Sequence, residues 1–375
     1  MDRGILMLRE GNPPQFIPKV VRIINKKLKD QKIQVSQSII NMAVNNNSSV
    51  LTYDAQSDPR FRAQDSIIKF NIHSAMCVPL WNNKEIIGII YSDRISLLEQ
   101  FTDEDLKLLT LLSNLAAVKI ENSKLIDQAI EKEKMEKELT LAAKIQEDFL
   151  PKENPDCENF LITGSNVPCH QVGGDYFDFL EIDSDRLGIV IADVSGKGVG
   201  ASLLMASLRA ALHSEVDSQY KIEPMAAKLN NFVHRSSASN SFITFFFCEL
   251  NKKRGELIYI NAGHNPPLIL DKKGKIHRLE SCGLCLGMFP TTTYEAQKIT
   301  LKAGEMALLF TDGITESRNK KEEEFTEERL TGLLQKHSKL EAPKLLKKIS
   351  EELKSFTSGA ETMDDMTIVI IQKVS

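Results

Sequence analysis

The sequence lacks the features that mark several large classes of protein. No apolar run approaches the roughly 18 residues that a membrane-spanning helix needs, and the N-terminus lacks the basic-then-apolar pattern of a signal peptide. Lys and Arg total 47 against 51 Asp and Glu, and the basic residues are scattered, which disfavours a nucleic acid or an anionic membrane as partner. We therefore predict a cytoplasmic protein that binds neither nucleic acid nor membrane.

Cysteine is sparse, and its spacing does not suggest a metal site. The six cysteines are dispersed, and Cys282 with Cys285 forms one CxxC without the second Cys or His pair that a zinc site requires. We expect reduced thiols with packing roles. Internal repeats and low-complexity segments are also absent.

The sequence contains enough hydrophobic residues to form the cores of two folded units. Hydrophobic residues make up 42% of the 375 residues and charged residues 26%. In the first part, strands are predicted at residues 50–53, 75–81 and 86–91, with Asn82-Asn83 as a hairpin turn. A helix follows from Thr102 to about Asn122, because Thr102 can cap it and three acidic residues favour its first turn.

The composition of residues 121–149 predicts that this helix continues as a connector, because the segment contains no Gly or Pro and is rich in helix formers. Pro151 ends it. A 3-4 spacing forms an incomplete coiled-coil seam of Leu125, Gln128, Lys132, Met135, Leu139, Ala142, Gln146 and Phe149. The segment is either a solvated helix that packs locally or a parallel two-chain stalk, and we favour the stalk.

The second part again mixes strands and helices. Strands are predicted at residues 187–192, 242–250, 257–261, 306–310 and 366–371. Helices are predicted at residues 201–213, 222–235, 326–336 and 342–356.

Four acidic motifs in this second part suggest metal chemistry. They are VGGDYFDF, IADVSGKG, FTDGITE and TMDDMTIVI, which contain Asp175, Asp193, Asp312 and Asp364. The last three adjoin apolar runs, so core strands would bring their carboxylates to one end of a sheet, partly out of water. Unpaired anions there cost several kcal/mol, and a divalent cation removes that cost. Each aspartate alone would be a turn or cap residue, but four together favour a metal site.

A two-metal site offers a defined reaction. A carboxylate bridges two Mn²⁺ or Mg²⁺ ions, and a water between them becomes hydroxide near neutral pH and attacks phosphorus in line. No CxxxxxR pattern or HxH pair suggests a covalent alternative.

The four motifs resemble those of the PPM family of metal-dependent Ser/Thr protein phosphatases, in its SpoIIE/RsbU-like branch. The resemblance runs from residue 142 to the C-terminus and includes IQEDFLP, FITFFFCELN and NAGHNPPLIL. It implies an α-β-β-α sandwich with Asp193 bridging two metals. It further implies Val194 (through its carbonyl) and Asp175 on one ion, Asp312 and Asp364 on the other, and Asp365 as a weaker or indirect ligand.

Two further points follow from this resemblance. No Arg immediately precedes VGGD, so phosphate binding would rest on the metals and their waters. His264, in the AGHNPP segment, would have an ordered structural role, with general-acid catalysis as the less favoured alternative.

One of the motifs also suggests a nucleotide-binding site. Gly196, Gly198 and Ala201 form a G-x-G-x-x-A pattern between a strand and a helix, as in dinucleotide-binding turns. Asp193 just before the glycines would repel a pyrophosphate, and no clear second βαβ unit follows. The pattern is not a P-loop either. We therefore disfavour a nucleotide site.

The first part resembles a GAF domain, through residues 49–67, 74–93 and 101–122. GAF domains are α+β sensor modules with a six-stranded antiparallel sheet, whose pocket holds a cyclic nucleotide, a chromophore, a metal or nothing; the ligand here is unknown. Cys77 falls in a strand and is expected to be buried. The pattern begins near residue 1 with RGILML and leaves no room for the usual leading helix. Either the native chain is longer, which we favour, or the domain is trimmed and relies on a dimer partner.

The prediction is therefore an α+β protein with a GAF sensor at residues 1–122, a helical linker at 123–150 and a PPM phosphatase at 151–375. The resemblance implies a phosphoserine or phosphothreonine substrate on a STAS-domain anti-sigma-factor antagonist. We also expect a homodimer formed through the GAF domain and the linker. The alternative is a catalytically silent scaffold that binds phosphoproteins. A metal nuclease is disfavoured by the lack of a basic groove.

Overall fold

The structure is a computed structural model. It describes residues 1–25, 33, 35–96, 99–217, 219–237, 241–360 and 362–374. The chain divides into two compact units, Met1–Lys134 and Met135–Ser375. The first has one hydrophobic core and the second has three.

The first unit is built on an antiparallel sheet of five described strands in the order β2-β1-β5-β4-β3. The strands are β1 (Arg3–Glu10), β2 (Gln15–Ile23), β3 (Val50–Thr52), β4 (Ser74–Trp81) and β5 (Ile86–Arg94), and the short helices are α1 (Gln37–Asn45) and α2 (Asp65–Lys69). Alternate residues of β1 are buried, so Ile5 and Met7 enter the core beside Ile39 and Ile40 of α1. We expected six strands in this sheet, and the described part of the chain contains five.

The hairpin between β4 and β5 turns at the predicted asparagines. The Asn82 side chain accepts hydrogen bonds from the backbone N–H groups of Lys84 (3.1 Å) and Glu85 (3.0 Å). Asn83 adopts φ of 70°, a conformation that Asn tolerates better than most residues. Cys77 is buried in β4, and all six cysteines are free.

A single helix, α3 (Asp103–Glu147), runs for 45 residues from the first unit into the second. It begins with a capping box in which Asp105 N–H donates to Thr102 Oγ1 (3.2 Å) and Thr102 N–H donates to Asp105 Oδ2 (2.9 Å). Many of its apolar side chains are exposed, among them Leu108, Leu111, Leu115, Val118, Leu125, Ile126, Ile130 and Met135. The coiled-coil stalk stays a prediction.

The second unit is a sandwich of two five-stranded antiparallel sheets covered by helices. One sheet has the order β13-β10-β9-β8-β7 and the other β12-β11-β14-β15-β6. The strands are β6 (Phe160–Val167), β7 (Tyr176–Glu181), β8 (Arg186–Val194), β9 (Ile243–Asn251), β10 (Glu256–Ala262), β11 (Leu268–Leu270), β12 (Ile276–Arg278), β13 (Gln297–Thr300), β14 (Met306–Phe310) and β15 (Met366–Lys373).

The helices of this unit form its two outer layers. They are α4 (Val199–Glu215), α5 (Ile222–Ser236), α6 (Asp312–Thr315), α7 (Thr326–Lys336) and α8 (Ala342–Thr357). Helices α4 and α5 pack on the first sheet, and α7 and α8 pack on the second, while a third core fills the space between the sheets. This is the predicted α-β-β-α arrangement.

Most of the predicted elements of this unit match the structure to within a few residues. Strand β14 and helix α7 have the predicted bounds. Five strands of this unit, β6, β7, β11, β12 and β13, were not predicted, and β7 contains a buried Asp178 within its apolar run. Of the helices that the structure describes, none is both long enough and apolar enough to cross a membrane.

Candidate active site

The four acidic motifs meet at one end of the two facing sheets of the second unit. Asp193 lies near the end of β8, and Asp175 immediately precedes β7, where the pairing of Tyr176 with Ala192 makes the two aspartates neighbours. On the other sheet, Asp312 begins α6 just after β14. Asp364 precedes β15, which pairs with β14. Antiparallel pairing therefore brings motifs that are far apart in sequence to one edge.

Asp175 joins the two sheets through its carboxylate. Its Oδ2 atom accepts hydrogen bonds from the hydroxyls of Thr311 (2.8 Å) and Thr367 (2.5 Å), which belong to the opposite sheet. Its Oδ1 atom is also buried and accepts no hydrogen bond from a donor group among the described residues, and the Asp193 carboxylate is a close neighbour of Asp175. A buried oxygen without a donor is unusual in a folded protein and suggests a missing ligand.

Asp365 holds the loop that carries Asp175. Its Oδ2 atom accepts hydrogen bonds from the backbone N–H groups of Gly174 (2.6 Å) and Asp175 (3.3 Å), and its Oδ1 atom accepts one from Cys169 (2.7 Å). A Cβ atom on Gly173 would lie 2.3 Å from Asp365 Oδ2, so only glycine fits there. Because both carboxylate oxygens are bonded to the loop, the arrangement suits an indirect role for Asp365 at the metals.

Lys197 is a site residue that the sequence analysis missed. Its Nζ atom lies 2.8 Å from Asp364 Oδ2, and it also donates to the carbonyl of Met363. Lys197 lies within the quoted IADVSGKG motif, so its sequence position was visible. Its partner, however, lies in another motif, and this contact depends on the tertiary fold.

The electrostatics of the site show that it holds more negative charge than its own residues neutralise. Burial, followed by repulsion from Asp312 and Asp364, raises the pKa of Asp193 to about 7. Burial and repulsion from Asp193 raise the pKa of Asp175 well above its ordinary value. The pKa of Asp312 is raised by burial and by Asp364. A cation bound among these three aspartates would lower their pKa values and so favour their charged forms.

The donor set fits a hard divalent cation, but the ligands are only partly assembled. Carboxylate and carbonyl oxygens suit Mg²⁺ or Mn²⁺, and the Val194 carbonyl faces this cluster, 3.0 Å from where a Gly174 Cβ would lie. Within the described ranges, no three carboxylate, imidazole or thiol groups are placed to hold one metal ion. In the same site, Asp364 is paired with Lys197 and Asp365 is bonded to the loop.

A cleft of about 400 Å³ opens beside the acidic cluster. It is lined by Val194, Lys197, Leu203, Leu204, Ser207 and Ser237, among others. Gly196 (φ of 94°) and Gly198 (φ of 75°) form the turn that leads from β8 to α4 along this cleft. The turn presents Lys197 to Asp364, which gives these glycines a role within the acidic site and further disfavours a dinucleotide.

His264 is buried between the two sheets and has little capacity to act as an acid at neutral pH. Its Nδ1 atom lies 2.8 Å from the Thr244 hydroxyl. Burial lowers the pKa of His264 to about 4, and its second ring nitrogen, Nε2, is buried without a hydrogen-bond partner among the described residues. A neutral, hydrogen-bonded ring fits the structural role that we expected.

Comparison with known proteins identifies both parts of the chain. Residues 183–374 match the family described as Stage II sporulation protein E (SpoIIE), and residues 1–120 match the GAF domain. These matches confirm the two resemblances drawn from the motifs.

Three curated relatives are similar in sequence. IcfG of Synechocystis sp. is 31% identical over 63% of this chain and 41% of its own length. The phosphoserine phosphatase RsbU of Bacillus subtilis is 30% identical over 64% of this chain and 71% of its own length. The phosphoserine phosphatase RsbP of the same organism is 26% identical over 48% of this chain and 45% of its own length. The chain thus spans less than half the length of two of these three relatives.

Solved structures confirm the fold of the second unit. The SiaA-PP2C domain of Pseudomonas aeruginosa aligns with a TM-score of 0.57 at 19% identity, covering 65% of this chain and 99% of that domain. The RsbU and RsbW domains of a Mycobacterium tuberculosis protein align with a TM-score of 0.52 at 24% identity, covering 60% of this chain and 63% of that one. At these identities the likeness concerns the fold.

Proposed function

Because the chain belongs to the SpoIIE family, we propose that its second unit is a Mn²⁺- or Mg²⁺-dependent phosphatase that hydrolyses phosphoserine or phosphothreonine in a protein. The observation that carries the proposal is the meeting of Asp175, Asp193, Asp312 and Asp364 at one end of the sandwich, with a buried Asp175 oxygen left without a donor among the described residues. The names of two relatives, both phosphoserine phosphatases, support the substrate class.

The proposal assigns the ligands of two ions. Asp193 would contact both, Asp175 and the Val194 carbonyl would hold one, and Asp312 and Asp364 would hold the other. Asp365 acts mainly through the Gly174 loop. When bound, the metals would supply a hydroxide near neutral pH and polarise the phosphoryl group.

The remaining work falls to the chain's own residues. Thr311 and Thr367 orient the Asp175 carboxylate through their hydroxyls, and this fixes one ligand before any metal arrives. Lys197 places a positive charge at the cleft beside the cluster, where a phosphate would enter. The buried apolar strands below the site exclude water from its floor.

Substrate, regulation and assembly are further parts of the proposal. The family resemblance suggests a phosphorylated STAS-domain protein as substrate and the GAF domain as a sensor acting in the cytoplasm. The exposed apolar residues along α3 support a homodimer through this helix. A change in the angle or register of α3 would then alter the phosphatase site.

Hydrolysis of an aryl phosphate and of a phosphoserine protein, with and without Mn²⁺, tests the activity. Asp193→Asn should lower the Mn²⁺-dependent kcat by about 100-fold or more, equivalent to about 2.7 kcal/mol. Asp156→Asn, at an exposed loop residue, is the matched control and should leave the rate unchanged. Phosphoprotein binding without Mn²⁺-dependent turnover would instead support the silent scaffold.

A further inference from the structure

A two-point hydrogen bond links the end of α3 to the loop before β7. Gln146 Nε2 donates to the Gly173 carbonyl (2.7 Å), and the Gly173 N–H donates to Gln146 Oε1 (2.9 Å). The side-chain amide thus uses both its donor and its acceptor on one residue of the loop. Such a pair fixes the position and the orientation of the loop relative to the helix.

The loop that Gln146 holds leads directly to the candidate metal ligands. Gly173 is buried, and the next two backbone N–H groups, of Gly174 and Asp175, donate to Asp365. The close approach of Asp365 to Gly173 leaves no space for a side chain. A shift of Gly173 would therefore displace Asp175 and the hydrogen bonds of Asp365 together.

Apolar packing does not fill the space between the helix end and this loop. A cavity of about 330 Å³ lies there, lined by Lys144, Glu147 and Leu150 on one side and by Pro168 and Gln171 on the other. Where side chains do not interlock, directional hydrogen bonds set the relative position of the two segments. The Gln146 pair is such a contact.

The helix end is also anchored one turn further on. Arg209 Nε donates to the Phe149 carbonyl (2.9 Å), and its guanidinium lies 5.4 Å from the centre of the Phe149 ring. Gln146 and Phe149, which we had assigned to the coiled-coil seam, thus both make contacts within their own unit. The last turn of α3 is therefore attached to α4 and to the Asp175 loop.

We propose that Gln146 is a positioning residue for the metal site: by holding Gly173 it keeps Asp175 and Asp365 in place, so that metal affinity depends on the last turn of α3. The inference rests on the proposed function and specifies how α3 reaches the site. It assigns no contact between Gln146 and the metals or the substrate.

Titration calorimetry of Mn²⁺ binding to the full chain tests the proposal without relying on turnover. Gln146→Ala should weaken Mn²⁺ binding by about 10-fold, the effect typical of residues that orient metal ligands. At saturating Mn²⁺ its kcat should recover to within about threefold of wild type, because the metal restores the ligand geometry. Glu138→Ala, at an exposed position of the same helix, is the control and should bind Mn²⁺ as the wild type does.

A second variant distinguishes a loss of positioning from a loss of folding. Gln146→Glu has nearly the same volume but sets a carboxylate against the Gly173 carbonyl, so it should also weaken Mn²⁺ binding while its thermal unfolding stays close to that of wild type. An unchanged dissociation constant in the folded variants would overturn the inference. If the wild type itself binds no Mn²⁺, or if Asp193→Asn binds it equally well, the proposed function fails instead.

Discussion

The two units each bury an aspartate at the end of a sheet, and the two aspartates have very different neighbours. Asp93, in the first unit, is 0% exposed, and Arg3 Nε lies 2.8 Å from both of its carboxylate oxygens. The Tyr91 hydroxyl also donates to Asp93, to Oδ2 at 2.9 Å. Asp175, in the second unit, is 3% exposed and receives hydroxyl hydrogen bonds on one oxygen only.

The pKa shifts of Asp93 and Asp175 differ for the same reason as their neighbours do. Burial raises the pKa of Asp93, but Arg3 opposes that shift. Burial raises the pKa of Asp175, and the nearby Asp193 adds to the shift. A buried charge with its own cation is part of the architecture, whereas one whose nearest ionic neighbour is a further anion indicates a site for an external cation.

The largest effect on stability is expected from breaking the compensated pair. Asp93→Asn leaves the Arg3 guanidinium buried without its counterion and should lower the free energy of unfolding of the first unit by about 3–5 kcal/mol. The only tryptophan of the sequence, Trp81, lies in β4 of this unit and reports its unfolding by fluorescence in urea. Asp127→Asn, at an exposed position of α3, is the control. A loss below about 1 kcal/mol would contradict a structural ion pair.

The opposite result is expected at Asp175. In EDTA, Asp175→Asn should change the free energy of unfolding by no more than about 1 kcal/mol, because burial and the nearby Asp193 already favour the uncharged form of Asp175. With Mn²⁺, the wild type should gain stability by linkage and the variant should not. Calorimetric unfolding with and without Mn²⁺ measures both effects. A strongly destabilised variant in EDTA would mean that the carboxylate is structural.

The pH dependence of the metal-free protein sharpens the contrast. Asp193 has a folded-state pKa of about 7 against an ordinary value of 3.8. Since the folded state holds this proton more tightly than the unfolded state, its ionisation destabilises the protein increasingly as the pH rises from about 4 to about 7. We expect the urea midpoint in EDTA to fall over this range, and to fall less in Asp193→Asn. Equal slopes would refute the assignment.

The smallest effect concerns the lysine that pairs with Asp364. This pair is partly exposed, so Lys197→Met should tighten Mn²⁺ binding by about fivefold at most, or about 1 kcal/mol, by freeing the carboxylate. Lys228→Met, which breaks an exposed pair with Glu215, is the control. Weaker Mn²⁺ binding in Lys197→Met would show that the lysine supports the site rather than competing with the metal.

Three of the four acidic motifs could be recognised in the sequence because each combines an aspartate with an apolar strand over a few residues, whereas the strand that follows Asp175 was not predicted. Patterns of this length depend on local structure, and the bounds predicted for β14 and α7 were correct for the same reason. The strand β7 was missed because Asp178 interrupts its short apolar run.

The contacts that orient the site could not be predicted, because they join residues far apart in the chain. Thr311 and Thr367 lie 136 and 192 positions from the Asp175 carboxylate that they bond. Lys197 and Gln146 appear in quoted motifs, yet their partners depend on how the sheets stack and on where α3 ends. Sequence therefore predicts which residues supply the chemistry, and the fold decides which residues hold them.

Anomalous diffraction at the manganese edge, from crystals soaked in Mn²⁺, would show whether four aspartates of the second unit hold two cations. We expect two peaks about 3.5–4 Å apart, both in contact with Asp193, with Asp175 at one and Asp312 and Asp364 at the other. An absence of peaks at saturating Mn²⁺, or peaks bound elsewhere on the protein, would contradict this expectation.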